Sequence, residues 1–260
     1  MELFINESGE LQAPALVFLH GGGVAGWMWE SQMAYFKEYR VIVPDLPAHG
    51  RSAAVPFLSI HNAALKVMAD IHELIGTEKI ILIGFSLGAQ IALEILSHWP
   101  DRVDSAVIIS PLVKPIKYKK LVLAASKMTF GLIKNRYFSR LQAKSLFVPK
   151  SQFQRYYEDS MLMTRDNLIR ILDANMSYTI PESYPHAAVR TLALAGGREK
   201  RCMIESITDL VQMNRSCTGY QLPGMKHGLP FIAPDLLNEI LHGFIDNVHL
   251  NKHKKLKRVI

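Results

Sequence analysis

The chain has 260 residues, 49% hydrophobic and 20% charged, which allows one large domain with an insertion and excludes bulk disorder. Only Cys202 and Cys217 are present, which excludes a disulfide scaffold, and no uncharged apolar run is long enough to span a membrane. The net charge of +7 is uneven: residues 112–187 hold 13 Lys/Arg against 5 Asp/Glu, residues 250–260 hold five basic and no acidic residues, and the remainder holds 12 basic against 18 acidic. No nucleic-acid-binding motif accompanies the excess, so nucleic acid is not an expected partner.

The opening MELFINESGE is acidic and lacks a signal-peptide pattern. With two sparse cysteines, this points to the reducing cytoplasm. Residues 2–12 are expected to form an edge hairpin. Ala15–Leu19 is the first continuous apolar run, and a helix is expected over Trp27–Glu38. Val41–Pro44, the helix Ile60–Ile75, the strand Lys79–Gly84, the helix Leu87–His98 and the strand Ala106–Ser110 follow. After a break come the strand Thr191–Ala195, the helix Met203–Met213, the strand Cys217–Leu222 and the helix Pro234–Val248. Short apolar runs of this kind suit strands buried on both faces, and their alternation with helices reads as a doubly wound α/β domain. The break covers residues 112–187, where apolar residues recur at helical spacing, as in LVLAASKMTFGLIKNRYF. It is too long for a loop and reads as a helical insertion over the sheet.

Gly84-Phe85-Ser86-Leu87-Gly88 joins the strand KIILIG to the helix AQIALEILSHW. A strand-to-helix turn this tight needs small neighbours, and it exposes Ser86 at a helix N-terminus. A serine hydroxyl needs a base to take its proton. Of ten histidines, His227 in Gly224-Met225-Lys226-His227-Gly228 follows the last apolar strand and would open at the same end of the sheet. His20 and His49 sit in tight turns, His98 ends a helix, and His249 and His253 lie near the basic tail. His20-Gly21-Gly22-Gly23 follows ALVFL directly, and its glycines let backbone amides approach a substrate. Gly22 N–H and Leu87 N–H are the expected oxyanion donors, with Gly23 as the alternative to Gly22.

These segments, with Asp45-Leu46-Pro47-Ala48-His49-Gly50-Arg51-Ser52, resemble in order the α/β-hydrolase superfamily over about residues 2–248. The resemblance implies a mostly parallel sheet with helices on both faces and a helical cap inserted after the strand that follows the nucleophile helix. Residues 1–111 and 188–249 would be the core, 112–187 the cap and 250–260 a basic tail. DLPAHGRS is similar to the family's DxPGHGxS turn, which implies a structural role for His49. The family order of serine, acid, histidine places the acid within Ala195-Gly196-Gly197-Arg198-Glu199-Lys200. Counting Gly-x-x-acid from Gly196 gives Glu199, and counting from Gly197 gives Lys200, which cannot hold a histidinium. Glu205 and Asp209 belong to the next helix.

The expected activity is a serine esterase of carboxylesterase type, with Ser86, His227 and Glu199 as a triad and no cofactor or metal. The expected substrate wall is Gly23, Trp27, Phe85 and Leu229. The expected partner is a small acyl compound, and the basic segments leave room for weak contact with an anionic surface. The same residues serve thioesterases, C–C bond hydrolases and aminopeptidases, and a non-catalytic ligand-binding protein on this fold is a further alternative.

Overall fold

The computed structural model describes residues 1–247, Leu250 and residues 254–259. The expected positions of His249 and His253, and the end of the helix expected to reach Val248, lie outside the described residues. Among the described residues eight strands form one sheet: β1 (Ile5–Gly9), β2 (Ala15–Leu19), β3 (Arg40–Pro44), β4 (Ile80–Phe85), β5 (Val103–Ile109), β6 (Arg190–Gly196), β7 (Cys217–Leu222) and β8 (Lys257–Arg258). Their order across the sheet is β1-β3-β2-β4-β5-β6-β7-β8. The central strands run parallel, and β1 and β8 are antiparallel edges.

The helices are α1 (Glu30–Tyr35), α2 (Ile60–Ile75), α3 (Leu87–His98), α4 (Lys119–Thr129), α5 (Arg136–Ser145), α6 (Phe153–Leu162), α7 (Arg165–Ser177), α8 (Arg201–Met213), α9 (Leu229–Ile232) and α10 (Pro234–Ile245). The sheet separates two cores. Val17, Leu19, Ile80 and Leu82 face α2, α3 and α8, whereas Leu16, Phe18, Ile81 and Ile83 face α10 and the Trp29 side. Successive strand residues point to opposite faces, so a strand buried on both must be apolar throughout. Each such side chain contributes roughly 1.5–3 kcal/mol by leaving water.

Three expectations change. Residues 2–12 do not form a hairpin: Ile5–Gly9 pairs antiparallel with β3, from Ile5 opposite Pro44 to Gly9 opposite Arg40. Strand β2 has β3 and β4 on its two sides, so the outer edge of β3 is the one left open. Strand β5 starts at Val103, three residues before the expected Ala106, where exposed Asp104 and buried Ser105 interrupt the apolar run. The helix expected over Trp27–Glu38 is a 3-10 turn, Gly26–Trp29, followed by the short α1. Between β5 and β6 the chain runs through α4, α5, α6 and α7.

Candidate active site

Ser86 sits between β4 and α3 with left-handed backbone (φ 54°). Such a conformation costs a non-glycine residue on the order of 1–3 kcal/mol and persists only where packing enforces it. Here the packing is visible. A Cβ on Gly84 would stand 2.4 Å from the Gly88 carbonyl oxygen, and one on Gly88 would stand 2.3 Å from the Leu19 carbonyl oxygen. Only glycine at both positions lets α3 approach β2 and β4 so closely.

His227 lies in the turn between β7 and α9. Its Nε2 is 3.1 Å from Ser86 Oγ, and its Nδ1 is 2.8 Å from Glu199 Oε2. The Glu199 side chain is 1% exposed. Its other oxygen accepts from Gly196 N–H at 2.6 Å and from the Ser110 hydroxyl at 2.7 Å. Since Oε2 accepts, His227 Nδ1 carries the proton and Nε2 is left to accept from Ser86.

Glu199 N–H donates to the Gly196 carbonyl, so the turn is counted from Gly196, and Lys200 is exposed. Glu205 and Asp209 lie on α8 and pair with Arg201 and Lys114. Ser110 carries no signal in the sequence. Its role depends on a left-handed backbone just after β5 (φ 52°), which residue type does not reveal.

Gly22, Gly23, Leu87 and Ser86 line one cavity of about 260 Å³. Among the described residues the Gly22 and Leu87 amides make no hydrogen bond. The glycine turn is fixed by His20, which is fully buried. His20 Nδ1–H donates to the Gly21 carbonyl at 2.8 Å, and Leu46 N–H donates to Nε2 at 2.9 Å. Burial pushes its pKa down to about 4, so the ring is neutral at neutral pH. His49 is likewise neutral, pushed to about 3 by burial, with Nδ1–H donated to the Pro47 carbonyl. Asp45 accepts from Gly26 N–H and Arg51 N–H, tying this turn to the start of the 3-10 segment.

Three residues expected to wall the cavity do not line it. Phe85 is buried and lies against the His227 ring, 5.0 Å between centroids, because it ends a strand whose alternation turns it toward the core opposite α3. Leu229 opens α9 and is fully buried in that same core. Trp27 packs on Phe231 and donates from Nε1 to Asp159 Oδ2 at 2.7 Å. The wall comes instead from the segment between β5 and β6, including Ile133, Leu146, Tyr156, Asp159 and Ile171. Helical spacing marks these residues as inward-facing without telling core from cavity.

A model of the alpha/beta hydrolase family matches residues 16–240. The chain belongs to this family. It is 25% identical over 264 residues to 3-oxoadipate enol-lactonase 1 of Acinetobacter baylyi, covering 95% of this chain and 94% of that protein. It is 32% identical over 107 residues to the carboxylesterase YbfK of Bacillus subtilis, covering 40% of this chain and 36% of that protein. The crystal structure of the enol-lactonase from Burkholderia xenovorans LB400 shares the fold, with a TM-score of 0.79 at 15% identity over 94% of this chain and 96% of that one.

The cavity of this α/β hydrolase holds one unusual carboxyl. Burial raises the pKa of Asp159 from 3.8 to about 6. Between those values the folded chain holds a proton that the unfolded chain has released, so this group makes stability fall as pH rises through the window. Asp159→Asn keeps an acceptor for Trp27 and removes the titration. The Tm advantage of Asp159→Asn over wild type is expected to grow as pH rises through that window and to level off above it. A constant difference across the window would contradict this.

Away from the cavity, His61, Glu94 and His98 bring potential metal-ligand atoms within 4.8 Å of one another. They satisfy each other: His61 Nδ1 and His98 Nε2 lie 2.9 and 3.4 Å from the same Glu94 oxygen. His61 is on α2, far in sequence from its partners on α3, so residue spacing does not reveal the cluster.

Proposed function

We propose that this α/β hydrolase cleaves a carboxylic ester or related acyl compound by covalent catalysis at Ser86. The observation that carries the reading is the hydrogen-bonded chain from Ser86 through His227 to buried Glu199, with Ser86 on the cavity wall. Relatives named as an enol-lactonase and a carboxylesterase support an ester-class bond.

Ser86 Oγ attacks the acyl carbon as its proton passes to His227 Nε2. The amides of Gly22 and Leu87, with Gly23 as the alternative to Gly22, receive the developing oxyanion. Collapse expels the leaving oxygen, which takes the proton from Nε2. Water then attacks the acyl-enzyme, returning a proton to Nε2 and then to Ser86 as the acid departs. Glu199 keeps the imidazole in the required tautomer throughout, and no step calls for a cofactor. Residues 112–187 act as a cap over the core of residues 1–111 and 188–249. The two cysteines are free, in keeping with a cytoplasmic protein, and among the described residues no helix is long and apolar enough to cross a membrane.

A panel of p-nitrophenyl esters of increasing chain length, acyl-thioesters and amino-acid amides tests the reading. Saturable hydrolysis of short esters is expected, because the cavity volume is small. Amide turnover without ester turnover would contradict it. On an accepted ester, Ser110→Ala is expected to lower kcat by about 10–100-fold, since one hydrogen bond to a charged group is worth roughly 1.5–3 kcal/mol. KM should hold, because Ser110 lies behind Glu199 and not on the cavity wall. A change in KM with kcat intact would contradict this positioning role.

A further inference from the structure

Helix α4 buries no residue. Leu121 is 71% exposed and Met128 83%, with exposed Ala125 between them at helical spacing. Exposed Tyr118 precedes the helix and exposed Leu132 follows it. Apolar side chains in water normally occur singly, and a contiguous stripe of them marks an interaction face. The flanks are cationic. Lys117, Lys120, Lys127 and Lys134 are exposed and make no ion pair among the described residues, whereas Lys114 and Lys119 are taken by Asp209 and Asp173. Helix α5 extends the pattern: exposed Tyr137 and Leu141 stand beside Arg140 and Lys144 on a groove of about 700 Å³.

We propose that this face docks the protein on an anionic lipid surface. The apolar stripe enters the boundary between headgroups and acyl chains, and the lysines beside it meet the phosphates. Charge decides the occupant. A second copy of the chain would set one lysine-flanked stripe against another, whereas an anionic bilayer offers negative charge to every lysine in any register. The face also adjoins the cavity: Leu132 points to solvent, and the next residue, Ile133, is buried and lines the cavity. The proposal stands on these exposures and charges and does not depend on the chemistry at Ser86.

Co-sedimentation with vesicles tests it, using phosphatidylcholine mixed with phosphatidylglycerol against phosphatidylcholine alone. Each lysine near an anionic surface strengthens binding about fivefold, so wild type is expected to prefer the mixed vesicles by at least about tenfold and to be released by added salt. Replacing Lys117, Lys120, Lys127 and Lys134 together by Gln should cut that preference by at least about tenfold, leaving only the part that Arg140 and Lys144 supply. Leu121→Ser with Met128→Ser should weaken binding to the mixed vesicles by at least about tenfold. All six side chains are exposed, so the variants should keep the wild-type circular dichroism spectrum and Tm. The proposal is overturned if wild type stays in the supernatant with both vesicle types. It is also overturned if the Leu121→Ser, Met128→Ser variant sediments like wild type. A dimer in sedimentation velocity that this variant abolishes, without vesicle binding, would make the face a contact between copies and overturn the lipid assignment.

Discussion

Replacing Ser86 by alanine is expected to remove nearly all turnover, a fall in kcat on the order of 10⁶, and to leave the fold intact. The side chain is partly exposed on the cavity wall, and among the described residues its one hydrogen bond is to His227. Alanine has a Cβ like serine, so the left-handed backbone at this position costs it no more. The glycines that enforce the turn, Gly84 and Gly88, are untouched. In the proposed mechanism the lost hydroxyl oxygen forms the acyl-enzyme, and what survives is the rate supplied by binding and the oxyanion donors alone. The check is kcat on an accepted ester together with Tm. Wild-type turnover by purified Ser86→Ala would remove Ser86 from the mechanism.

Glu199→Gln is expected to lower kcat by about 10²–10⁴-fold with little change in Tm. The size follows from the hydrogen bonds around this side chain. Gly196 N–H and the Ser110 hydroxyl both donate to one Glu199 oxygen. In Gln the carbonyl oxygen must take that place, because the amide nitrogen has no lone pair to offer. The NH₂ then faces His227 Nδ1 and donates to it, which moves the ring proton to Nε2. An imidazole with its proton on Nε2 cannot accept the proton of Ser86. The upper bound is the loss seen when the acid of a well-studied triad is neutralised, and the lower bound allows for partial rescue by rotation of the ring. Steady-state kinetics with a melting curve decides the matter. A fall of less than about threefold would mean that another group orients His227.

Much of this arrangement was legible in the residues. Helices Ile60–Ile75 and Leu87–His98 occupy the bounds expected from periodicity. In the first, Ser59 caps the N-terminus by accepting from Asn62 N–H, a local signal that needs no tertiary information. Strands buried on both faces read as apolar runs, and glycines at crowded turns mark themselves. Harder to read was whatever depends on which edge is free or which way a side chain points. The partner of β1 is set by the crossing order of β2, β3 and β4. Glu199 and Lys200 differ by one residue of register, and it is the Glu199 carboxylate that lies 2.8 Å from His227 Nδ1. Phe85 and Leu229 are adjacent in sequence to site segments, yet strand alternation and helix packing send both into the core. Asp159 is more than one hundred residues from Trp27, its hydrogen-bond donor, and no local pattern links the two.

The most direct test of the central claim is labelling with a fluorophosphonate probe, read by mass spectrometry of the digested protein. The phosphorus of such a probe is attacked by an activated serine oxygen with loss of fluoride, so it reports nucleophile and base together. One adduct is expected, on the peptide that contains Ser86, with loss of ester hydrolysis in proportion to labelling. The rate of labelling should fall in Glu199→Gln, and the adduct should be absent from Ser86→Ala. Labelling at another residue with Ser86 unmodified, or full activity in a protein labelled at Ser86, would contradict the account.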